Sequence, residues 1–104
     1  MLFLIYWELN EETDALARLK AAEKLTAAEL FPPQDVEVLR FDTTPDLWGV
    51  TLVEAGDVTS VSNVINSWRI ACPGIFKSTK ISPARPVQEA MESAAEMIKK
   101  LKQP

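Results

Sequence analysis

Leu2-Phe-Leu-Ile-Tyr-Trp-Glu-Leu9 is the stretch whose reading decides the fold of this 104-residue chain. Aromatic and branched side chains in an unbroken apolar run favour extended backbone, so it reads as a buried strand. Alternation along a strand sends Phe3, Ile5, Trp7 and Leu9 to one face and Leu2, Leu4, Tyr6 and Glu8 to the other. Both faces are apolar until Glu8, so the strand needs cover on two sides. Although the run begins like an export signal, it has no basic leader and no small-residue cleavage site. Glu8 also interrupts it far short of the ~20 apolar residues of a membrane-spanning helix.

Working outward, Asn10-Glu11-Glu12-Thr13 offers capping side chains and acids for a helix that runs to about Phe31. Its expected core stripe is Leu16, Leu19, Ala22, Thr26 and Leu30, and Pro32-Pro33 ends it. Residues 36–42 and 48–54 read as an antiparallel hairpin across a turn holding Pro45 and Asp46. Asp57 caps a second helix, 58–71, with Val58, Val61, Val64 or Ile65, Trp68 and Cys72 along one face, and Pro73-Gly74 stops it. A fourth strand follows at 75–82. A last helix, 86–102, carries Val87, Ala90, Met91, Ala94, Ile98 and Leu101 on one face, with acids early and Lys99, Lys100 and Lys102 late, in the sense that suits the helix dipole.

The resulting order, βαββαβ with an extra C-terminal helix, predicts an α+β chain of ferredoxin-like topology. The expectation is one domain, 1–104, with a core at 1–83 and the amphipathic helix at 86–102. Strands one and three belong at the centre. Strands two and four, with Glu37 and Arg40 and with Lys77 and Lys80, have the charges of edges. Because two helices cover only one face of such a sheet, the second apolar face calls for the C-terminal helix of the same chain, the matching sheet of a second subunit, or both.

Composition narrows the function classes. A formal charge of -4 and a pI near 4.8 give no attraction to phosphate backbones or anionic lipid, so neither nucleic acid nor membrane is an expected partner. Strand four also lacks the paired aromatics of an RNA-binding sheet. Histidine is absent, which removes the commonest general base and the commonest nitrogen ligand of zinc or haem iron. The single cysteine, Cys72, excludes an intramolecular disulfide and suits a reducing compartment, so the cytoplasm is the expected location. It reads as a small buried hydrophobe rather than a reactive thiol. Gly49, Gly56 and Gly74 are isolated and form no phosphate-cradling loop. No catalytic residue, metal site or cofactor is expected.

The segments Met1-Leu-Phe-Leu-Ile-Tyr-Trp7, Val38-Leu-Arg-Phe41 and Gly49-Val-Thr-Leu-Val-Glu-Ala55, with Trp68 late in the second helix, resemble small members of the dimeric α/β barrel superfamily. The resemblance covers residues 1 to about 83 and implies a homodimer in which two ferredoxin-like sheets enclose a cavity. It implies that Leu2, Leu4, Tyr6 and Glu8 face that cavity, joined by Thr51 and Val53 from strand three. Tyr6, Arg40, Thr51 and Ser78 are then the expected ligand-binding residues, polar groups in an apolar pocket, and Arg40 suits an anionic or carbonyl-bearing ligand. The alternative for Arg40 is an edge charge paired with Glu37 or Asp42. Relatives of this shape include cofactor-independent monooxygenases and haem-degrading enzymes that use asparagine and tryptophan in the cavity. This chain has Asn63, Asn66, Trp68 and Trp7, of which Trp68 falls on a core stripe and the asparagines on a solvated face. The leading expectation is a dimeric module that binds a small molecule or a protein partner without catalysis. Its alternatives are a cofactor-independent, monooxygenase-like enzyme on a small organic substrate, and a structural or assembly subunit whose last helix docks.

Overall fold

In a computed structural model that describes residues 1–103, strand β1 (Leu2–Leu9) is central, with a neighbouring strand along each edge. Helix α1 (Ala15–Ala27), strands β2 (Val36–Thr43) and β3 (Trp48–Ala55), helix α2 (Val58–Ala71), strand β4 (Phe76–Pro83) and helix α3 (Val87–Leu101) follow. The sheet order is β2-β3-β1-β4 with every neighbouring pair antiparallel. That is the ferredoxin-like arrangement with an additional helix, and the charge-bearing strands β2 and β4 are the edges.

The β1–β3 register opposes Phe3 to Val53, Ile5 to Thr51 and Trp7 to Gly49. Directly opposed residues share a face, so these side chains all point to the helices, where Val61, Val64 and Ile65 of α2 meet them in the core. The other face presents Leu4 and Tyr6 of β1 with Leu52 and Val50 of β3, and among the described residues no element covers it. Thr51 and Val53 therefore lie on the helix side and not, as expected from the barrel resemblance, beside Tyr6.

Strand β2 contains a bulge between Val38 and Arg40. An extra residue flips the alternation downstream. Val36 and Val38 face the helices, then Arg40 turns to the open face and Phe41, opposite Thr51, turns inward.

Both long helices of the core begin on aspartate. Asp57 accepts the Ser60 amide at 2.8 Å, and the backbone and hydroxyl donors of Ser60 hold its carboxyl below the usual value. At α1 the cap is Asp14, which accepts from the Ala17 amide at 2.6 Å, rather than the 10–13 segment. Asn10 instead closes a turn, its side chain accepting from Glu12 N–H. The helix also ends before Phe31, with Ala28 as its C-cap and Glu29 at φ 57°.

The inward face of α1 is not the leucine stripe. Ala21 and Leu25 are buried, whereas Leu16, Leu19 and Leu30 are exposed. Helix α1 leans on α2 more than on the sheet, and Ala21 packs with Cys72 and Ile75, where a small side chain permits close approach. Buried Cys72 thus behaves as a packing residue.

Helix α3 buries none of its residues. With it the chain measures 63 × 29 × 17 Å and has a radius of gyration of 17.4 Å, against about 13 Å for a compact chain of this length. Among the described residues no helix is long and apolar enough to cross a membrane.

Candidate functional site

Because α1 rests on α2, a gap remains between α1 and the sheet, and aromatic rings line it instead of filling it. The cavity has a volume of about 340 Å³, within the range of small-molecule sites. Trp7 of β1, Phe41 of β2, Trp68 of α2, Phe76 of β4 and Phe31 of the α1–β2 connection form its walls. Their rings are in contact around it, with centroids 5.2 Å apart for Phe31 and Phe41, 5.3 Å for Phe31 and Trp68, and 5.9 Å for Trp7 and Phe41. Offset and edge-on packing at these distances makes a rigid wall that presents ring faces to an occupant. Phe41 is 47 % exposed although it faces the helices, which marks the mouth of the cavity at the β2 edge.

Two polar residues enter this lining. Thr51 is buried and its Oγ1 accepts the indole N–H of Trp7 at 3.0 Å. The hydroxyl keeps its own proton, and among the described residues no acceptor takes it. Arg18, half-buried on α1, donates one nitrogen, Nη1, to the carbonyl and hydroxyl oxygens of Thr13, which leaves the rest of the guanidinium without a partner among the described residues. The cavity thus offers one neutral and one charged donor to an occupant. None of its lining residues is a carboxylate, histidine, lysine, cysteine or tyrosine, so it contains no group that can accept a proton near neutral pH.

The Trp7–Thr51 bond can be probed separately. Thr51→Val keeps the shape and strands a buried indole donor, which is expected to cost about 2 kcal/mol. A fall in the urea midpoint, with a shift in tryptophan emission as Trp7 loosens, is the result to look for. Unchanged emission would mean that the bond does not hold the ring.

Of the residues expected from the sequence to share a pocket, the structure places Tyr6, Arg40 and Ser78 on the open face and Thr51 on the opposite one. Tyr6 and Arg40 are separated by β3, and Ser78 opposes Glu8 at the far end of β1. Arg40 pairs with Asp42, Nη2 to Oδ2 at 2.9 Å and Nε to Oδ2 at 3.0 Å, as an edge charge. Tyr6 stands beside Trp48, with centroids 6.0 Å apart, and its hydroxyl reaches Glu8 at 3.4 Å. These residues form a surface, whereas the cavity lies behind them on the helix side of the sheet. Asn63 and Asn66 are exposed on α2, so Trp68 enters the cavity without an asparagine.

Arg18, Phe31 and Phe41 are not among the residues expected from the sequence to line a pocket. An arginine inside the inward arc of a helix was the available signal for the first. The other two depend on the position of a connection and on the β2 bulge. No group of three or more His, Cys, Asp or Glu side chains suited to a metal occurs among the described residues.

No protein-family model matches this chain, and no curated protein is similar to it. Among solved structures, protein Atu4242 from Agrobacterium tumefaciens, a structural-genomics target, is similar to it with a TM-score of 0.48 and 12% sequence identity, over 83% of this chain and 93% of that one.

Proposed function

We propose that this chain is a binding module that works without catalysis, as a homodimer, and that it holds a flat apolar molecule between its helices and its sheet. The aromatic-walled cavity carries the reading. Ring faces on several sides favour a planar, ring-bearing occupant, and the Thr51 hydroxyl and Arg18 guanidinium favour one with acceptor oxygens, a carboxylate or a carbonyl. The lack of a proton acceptor in the lining argues for capture rather than acid–base turnover. The oxygenase alternative has Trp7 and Trp68 in the cavity but no asparagine beside them.

Planar acids serve as probes. Titration with 2-naphthoate is expected to quench tryptophan emission, since Trp7 and Trp68 both line the cavity, and to raise the melting temperature. Arg18→Ala is expected to weaken 2-naphthoate roughly tenfold while leaving naphthalene unaffected, the loss of about one charged hydrogen bond. No saturable change with either compound would remove the cavity from consideration. Equal weakening of both would assign Arg18 to packing alone.

A further inference from the structure

We propose that α3 reaches out of its own subunit and seats its apolar stripe on the open sheet face of a second copy, so that two chains exchange helices. The inference rests on the homodimer reading above and specifies what makes the dimer. Its starting point is that the molecule leaves two apolar surfaces uncovered, one convex and one flat. On α3, Val87, Ala90, Met91, Ala94, Ile98 and Leu101 follow helical spacing, yet Val87 is 73% and Leu101 85% exposed. On the sheet, Leu4 opposes Leu52 and Tyr6 opposes Val50, with Trp48 alongside.

At 15 residues a free α3 sits at the limit of independent stability. Isolated helices shorter than about 12–15 residues are marginal in water even with favourable sequences. This one has 15 residues and no side-chain N-cap. Its order has to come from packing its apolar side, and among the described residues of its own subunit nothing buries it. The connection also holds it away. The Ala84 N–H still extends the sheet by bonding the Leu2 carbonyl at 2.9 Å, so Arg85 and Pro86 alone join ladder to helix. Proline fixes φ, here -56° with ψ 142°, and the Arg85 guanidinium is tied to Ser93 on the helix at 3.3 Å.

Length and charge fit a second copy. Fifteen helical residues extend about 22 Å, enough to cross four strands spaced about 4.8 Å apart. The open face is basic along β4, where Lys80 opposes Tyr6 and Lys77 pairs with Glu8 at 3.7 Å. At the β2–β3 corner Glu37 directly opposes Glu54; the N-terminal ammonium pairs with Glu54 at 2.8 Å, which leaves Glu37 as the acid there without an ion pair among the described residues. Helix α3 has the same division along its axis, with Glu89, Glu92 and Glu96 first and Lys99, Lys100 and Lys102 last. Laid from the β4 edge toward that corner of the other copy, it matches acid to lysine at its start and lysine to acid at its end. The contact is satisfied twice by a two-fold axis, which closes the assembly at two.

Sedimentation of the full chain and of two variants at exposed positions tests this, with circular dichroism confirming that each is folded. The unaltered chain is expected to be a dimer. The M91E/I98E pair on α3 and L4K on the sheet are each expected to be monomeric, and an equimolar mixture of the two is expected to re-form dimers. In that mixture an unaltered helix still meets an unaltered sheet, and the acidic helix meets Lys in place of Leu4. If M91E/I98E stays dimeric while L4K does not, the sheets pair directly, and helix exchange falls while the homodimer reading stands. If L4K stays dimeric while M91E/I98E does not, α3 pairs with α3 and the exchange again falls. A mixture that stays monomeric overturns it as well. A monomeric unaltered chain overturns both readings.

Discussion

Ile5→Ala is expected to remove on the order of 4 kcal/mol of stability, and with it on the order of 20 °C of melting temperature. Ile5 has 0% exposure and sits on the central strand, opposite Thr51 on one side and Ile81 on the other. Strands on both flanks hold the backbone in place, so the space left by the lost atoms cannot close by a shift of β1. Domains of this size are stable by only about 5–15 kcal/mol, which brings this single change close to unfolding the protein. Thermal and urea unfolding followed by circular dichroism measure it, and an unchanged m-value would place the effect in the folded core. Leu16→Ala is the informative control. Leucine at that position belongs to the stripe expected from sequence, yet it is exposed, so its loss is expected to stay within about 0.5 kcal/mol. A core-sized cost there would mean that α1 is rotated from the orientation described.

Gly49→Ala is the second large effect, on the order of 3 kcal/mol. Gly49 is buried on β3, and a Cβ at that position falls on the Asp42 carbonyl oxygen and on the Trp7 indole. One obstacle is backbone of the paired strand and the other is a ring held by its bond to Thr51, so neither yields cheaply. The indole has to leave its place, and it is a wall of the cavity. The variant is therefore expected to lose 2-naphthoate binding along with stability, and to show altered near-ultraviolet circular dichroism. Gly56 separates this effect from the general stiffness of alanine, because a Cβ there has nothing within 4 Å. Gly56→Ala is expected to be close to neutral. Equal effects at the two glycines would remove the steric account.

The links between these residues explain how much was legible in advance. Ile5, Trp7 and their neighbours announced a buried strand by composition alone, and the charges on β2 and β4 announced edges. Those properties belong to single strands and do not depend on what packs against them. Proline at 32–33 and Pro73-Gly74 bounded the helices for the same local reason, although α1 frayed earlier at Ala27. Strand β3 is different. Val50 with Leu52 and Thr51 with Val53 are similar enough in hydrophobicity that alternation cannot say which pair faces inward. Pairing with β1 decides it, and the choice carried Thr51 away from Tyr6 and into the cavity.

Element order, the two-sided nature of β1, the central and edge positions of the strands and the amphipathic character of α3 were determined by the sequence itself, because each follows from propensity and spacing within one segment. The cavity was decided only by the tertiary structure. Its walls come from β1, β2, β3, α1, α2, β4 and a connection. Each wall residue has an ordinary local role, and only packing brings them together. A bulge turned Phe41 inward and Arg40 outward, and close contact through Ala21 set α1 over α2 instead of over the sheet. The original strand keeps its meaning but divides its labour: Phe3, Ile5 and Trp7 build the core and the cavity wall, while Leu4 and Tyr6 stay on a face that no element covers among the described residues.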